Sequence, residues 1–143
     1  MFHNALQKNM KSSHQTMTHL NEHLGTLFYS IAAIDKTIRT EEIDKLKQII
    51  KREWLPLENS FNEFGDDAAY EIEIVFDWLV ANEWELEQVI PDFKIFRAEH
   101  QHLFTPEINA LILKTANAIA SSFLGKNKSE HVLISQLSAI LLQ

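Results

Sequence analysis

The sequence contains no cysteine. That absence excludes disulfide frameworks, thiolate-bound zinc and a cysteine nucleophile together. Glycine and proline occur three times each. That is too few for a sandwich of tight turns, a glycine-rich phosphate loop or a disordered chain. No apolar run approaches the roughly 20 residues that a bilayer-spanning helix needs. The opening residues Met1-Phe2-His3-Asn4 lack the basic start and apolar stretch of a secretion signal, so a cytoplasmic protein is expected. No nucleophile elbow, Walker loop or dinucleotide fingerprint occurs. A formal net charge of −7 speaks against a nucleic-acid backbone or an anionic membrane as partner.

Lysine and arginine are also missing locally. Residues 53–93 carry twelve acidic side chains and no basic one, whereas residues 1–52 carry eight basic and five acidic, and residues 94–143 five basic and three acidic. The middle third is therefore an acidic surface flanked by mildly basic segments. Its ordinary role is solubility, with the acids leaning on the basic flanks. Its sharper role is a docking face for a basic partner or for divalent cations, which prefer carboxylate oxygens, with Glu71, Glu73 and Asp77 as the candidate partner-binding residues. Trp54, Trp78 and Trp84 fall in the same stretch, where core packing or an interface accounts for them better than substrate stacking.

What fills the 143 residues is helical periodicity. Met17, Leu20, Leu24, Leu27, Ile31 and Ile34 recur at steps of three and four, with Phe28 widening the stripe, which predicts a helix over 12–34. Thr40 is expected to cap a second helix with Glu41 and Glu42 in its first turn, Ile43, Leu46, Ile49 and Ile50 facing inward, and Pro56 as its stop. Asp66 or Asp67 is expected to cap a third, carrying Ala69, Ile72, Val75, Phe76, Leu79 and Val80. A short helix from Asn82 is expected to end at Pro91, and another is marked by Phe93 and Phe96. Thr105-Pro106-Glu107 is a cap, a first-turn proline and an acid in succession, a strong start signal. Ile108, Leu111, Ile112, Ala118, Ile119 and Phe123 follow, with Gly125 as a helix end. Ser129 and Glu130 open the last helix, with Leu133, Ile134, Leu137, Ile140 and Leu141. The reading is all-α: one compact bundle of six or seven helices over 1–143, with 1–11 as a frayed N-terminal segment.

Two stretches share a plan: a helix end rich in small residues, a short loop, and a capped acidic helix start. The first is Ala32-Ala33-Ile34-Asp35-Lys36-Thr37-Ile38-Arg39-Thr40-Glu41-Glu42. The second runs from Ala116-Asn117-Ala118-Ile119-Ala120-Ser121-Ser122 through a loop to Ser129-Glu130. Over residues 24–55 and 110–142 the chain resembles the tellurite-resistance TerB-like family, whose repeats read roughly A-x-A-D-G-x-I-x-x-E-E. Lys36 stands where that pattern has glycine, and Ser122 where the second copy would have its acid. The resemblance implies a non-enzymatic helical domain that senses, scaffolds or chaperones in stress responses. It also implies a divalent-metal site, of which Asp35, Glu41 and Glu42 carry over.

The histidines offer two further constellations. His19-Leu20-Asn21-Glu22-His23 fits the H-x-x-E-H pattern of zinc proteases, with Glu22 as base and Glu99 as a third ligand. Such enzymes resemble much larger α/β domains, so a zinc hydrolase is not the expectation. His14, His19, His23, Glu99, His100, His102 and His131 can converge inside a bundle as a hemerythrin-like metal site, although the paired Glu-x-x-His motifs of ferritin-like di-iron proteins are absent. The expectations are thus a binding or scaffold module without a catalytic residue or organic cofactor, against a histidine/carboxylate metal-binding bundle or a divalent-cation sensor at Asp35, Glu41 and Glu42.

Overall fold

A computed structural model describes residues 19–34, 38–57, 69–82, 88–120 and 128–142. Among them the secondary structure is helical, and six helices form a compact all-α bundle. We number them α1 (19–32), α2 (Thr40–Ile49), α3 (Tyr70–Ala81), α4 (Val89–Glu99), α5 (Pro106–Ala120) and α6 (Lys128–Leu141). A single turn of 3₁₀ helix, Gln101–Leu103, follows α4. The expected frayed segment 1–11, the caps at Asp66 or Asp67, Trp84, Phe123 and Gly125 lie outside the described residues.

The periodic stripe of α1 is buried, but the helix is more enclosed than one stripe requires. Leu20, Asn21, Leu24, Leu27, Phe28, Tyr29, Ile31 and Ala32 are all buried, so most of its circumference is core. A helix apolar on nearly every side belongs inside its bundle. Ring contacts mark its neighbours. Tyr29 meets Phe76 of α3 edge-on at 6.2 Å, Phe28 lies 6.2 Å from Trp54, and His23 stacks on Phe96 of α4. Gly25 sets the crossing with α3: a Cβ there would come within 2.7 Å of the Ile72 carbonyl oxygen and 2.9 Å of Val75 Cβ. Only the missing side chain permits that approach.

The start of α5 follows its sequence signal. The Ile108 amide donates to Thr105 Oγ1 at 3.2 Å, and Pro106 opens the helix. Deeper in α5, the Thr115 hydroxyl donates to the Leu111 carbonyl at 2.8 Å and accepts the Trp54 indole N–H at 3.0 Å. Both buried groups are thereby satisfied, and α5 is tied to the segment after α2. Lys114 adds an exposed ion pair to Glu53 at 2.6 Å. At the far end of the bundle, the Arg97 guanidinium donates to the Leu141 carbonyl at 3.1 Å, placing a cation where the C-terminal end of α6 favours one.

Three expectations are corrected. The second helix is capped by Arg39 rather than Thr40. Glu42 lies three residues on, and its carboxylate accepts the Arg39 amide, which moves the start back by one residue. Pro56 does not stop that helix. Ile50–Trp54 widens into a π turn, and 55–57 are again helical. The wider turn relieves the clash between a proline ring and the preceding turn's carbonyl. Pro91 does not end a helix either. It sits in the first turn of α4, where its missing N–H costs no helical hydrogen bond. The helix marked by Phe93 and Phe96 is α4, and most of the short helix expected from Asn82 lies outside the described residues.

Candidate functional site

The acidic stretch folds partly against its basic flanks. Lys47 of α2 lies 3.6 Å from Glu73 and 3.5 Å from Asp77, which sit one turn apart on α3. Glu71 makes no ion pair among the described residues and is half-buried on the other side of the helix surface. The three candidate docking acids therefore divide: Glu73 and Asp77 share a lysine, while Glu71 stands apart.

Between Glu71 and Asp77 the surface of α3 is apolar. Ile74 is 58 % exposed and Trp78, one turn later, is 53 % exposed. The opposite side of the same helix buries Ile72, Phe76 and Leu79. An i, i+4 pair of large apolar side chains more than half exposed is the kind of patch that marks an interface, and tryptophan is enriched among the residues that dominate binding energy. The expectation for the tryptophans thus splits: Trp54 is a core residue, Trp78 a surface one. Sequence reasoning missed Ile74 and Trp78 as a pair. The signal was available, because both fall off the Ala69, Ile72, Val75, Phe76, Leu79 and Val80 stripe.

The cation reading at Asp35, Glu41 and Glu42 meets a local alternative. Asp35 lies outside the described residues. Glu41 is exposed. Glu42 is buried at 3 % exposure; its Oε1 accepts the Arg39 amide at 3.4 Å and lies 3.6 Å from the Arg39 guanidinium. A carboxylate so engaged is completing the start of α2.

The histidines neither converge nor scatter completely. His19, His102 and His131 are exposed, His23 and His100 half-buried, and His14 lies outside the described residues. His23 stacks on Phe96 with ring centroids 4.2 Å apart, and His100 stacks on the same ring at 4.3 Å. The imidazoles make no ring contact with each other, so they take opposite faces of the phenyl ring, which separates them as metal ligands. His100 Nδ1 lies 3.0 Å from the Phe96 carbonyl oxygen. Its ring stands 6.3 Å from that of His102. Among the described residues, no three His, Asp or Glu side chains are grouped to hold a metal ion. Glu22 and Glu99, offered as base and third ligand, are both exposed. Burial pulls the His23 imidazole below its ordinary pKa; His19 and His100 add to that shift, while Asp92 and Glu22 oppose it.

No described helix is long and apolar enough to cross a membrane. Compared with protein-family models, with curated proteins and with solved structures, the chain finds no match.

Proposed function

We propose that this chain is a non-enzymatic helical binding module whose outer α3 surface docks a basic, amphipathic helical segment of a protein partner. The observation that carries the reading is the exposed Ile74/Trp78 pair, set between Glu71 and Asp77 in a stretch that contains no lysine or arginine. Apolar side chains supply contact area, and flanking carboxylates select cations beside it. The TerB-like resemblance is consistent with a stress-related scaffold working in the cytoplasm, and it is part of the same proposal. Neither the His19-Glu22-His23 hydrolase nor the hemerythrin-like site is favoured by the histidine geometry.

The test is titration calorimetry with a designed Leu/Lys amphipathic helix and its Leu/Glu counterpart. The lysine peptide is expected to bind, more weakly as salt shortens the screening length below about 10 Å, and the glutamate peptide to fail. Reversal of Glu71, Glu73 and Asp77 to lysine is expected to abolish binding. Equal binding by the reversed protein would overturn the charge-selected face.

A further inference from the structure

We propose that the His23–Phe96–His100 stack is a proton-sensitive joint between α1 and α4, closed while the His23 imidazole is neutral and loosened when it takes up a proton. Among the described residues, α1 makes ring-to-ring contact with α4 through His23, face to face, with ring centroids 4.2 Å apart and planes 29° from parallel. Phe96 is itself 7 % exposed and packs edge-on against Phe104 at 6.3 Å, so the phenyl ring is fixed from behind. His100 closes its other face at 4.3 Å and lies near the Phe96 carbonyl through Nδ1. Phe96 therefore cannot shift to accommodate a change at His23 without disturbing His100.

Charge on His23 meets a mixed environment: the face of Phe96 attracts an imidazolium, and loss of water opposes it. On its own helix it faces His19 and Glu22, and from α4 it faces Asp92 and His100. The carboxylates favour the imidazolium and the imidazoles oppose it. The largest influence is loss of water around the half-buried ring, which disfavours the charged form. As pH falls through the ordinary value of 6.5, the unfolded chain takes up this proton before the folded chain does. Folded stability is therefore complete above that value and declines with acidification. The decline enters at the α1–α4 contact. Exposed His131 on α6 has no such position.

The experiment is an NMR titration of the imidazole Cε1 protons, joined to denaturant melts of the wild type and His23→Phe between about pH 8 and about pH 5. Phenylalanine keeps a ring against Phe96 and removes the titrating group. The expected results are a His23 midpoint below 6.5 and a wild-type unfolding midpoint that falls more steeply with acid than the variant's. Amide exchange should show α1 losing protection in acid before α6. A His23 midpoint at or above 6.5, parallel wild-type and variant curves, or simultaneous loss of protection in every helix would each overturn the joint. The wild-type titration decides the matter even if the variant folds poorly.

Discussion

Two helices that touch at Gly25 use their apolar residues in opposite ways. On α1 nearly every large apolar side chain is buried, and a glycine takes the one position where a side chain would strike the Ile72 carbonyl. On α3 the side against α1 is just as apolar, yet the far side exposes Ile74 and Trp78 between acids. Core packing explains every apolar residue of the first helix, whereas in the second it accounts for Tyr70, Ile72, Val75, Phe76, Leu79 and Val80 but not for Ile74 and Trp78. The remainder, Ile74 and Trp78, is more than half exposed, and the proposed docking rests on it.

That contrast can be broken most directly at its core end. Phe28→Ala removes a fully buried ring from α1, and it should cost about 3–5 kcal/mol, read as a drop in the denaturant midpoint. A smaller loss would mean that α1 is less central than its burial indicates. Gly25→Ala sharpens the comparison next. Alanine improves helix propensity by up to about 1 kcal/mol, but overpacking against backbone costs about 1–3 kcal/mol, so net destabilisation is expected. A stabilised variant would show that α1 and α3 can separate at no cost.

Smaller effects belong to the outer face. Lys47→Ala removes the lysine shared by Glu73 and Asp77, and because the pairs are partly exposed the loss should stay under about 1 kcal/mol and shrink further in high salt. The same change frees two carboxylates, so the lysine-rich peptide should bind more tightly. Trp78→Ala should cost well under the loss of Phe28→Ala, since Trp78 is more than half exposed where Phe28 is fully buried.

Local signals explain which parts of this account were legible in the sequence. Thr105-Pro106-Glu107 specifies the start of α5 with neighbouring side chains alone, and the hydroxyl contact is where the motif places it. The α1 stripe was legible because spacing encodes a buried face. Its enclosure on the remaining sides was not, since that depends on how many helices surround it. Proline was overread at both Pro56 and Pro91. A π turn and a first-turn position each remove the conflict that makes proline a breaker, and neither is visible from composition. At the candidate site the carboxylates were legible as charge, while Lys47, brought beside two of them by packing, was not. The Phe96 sandwich joins residues far apart in the chain, and no spacing rule relates His23 to His100.

The central claim is that the outer face of α3 binds and its inner face folds. The most direct test compares the wild type with the double variant Ile74→Ser, Trp78→Ser in one calorimetric titration with the lysine-rich amphipathic helix, alongside denaturant melts of both. The account predicts a variant that stays folded with a smaller stability loss than Phe28→Ala, and that no longer binds. Undiminished binding, or a variant as unstable as Phe28→Ala, would contradict it.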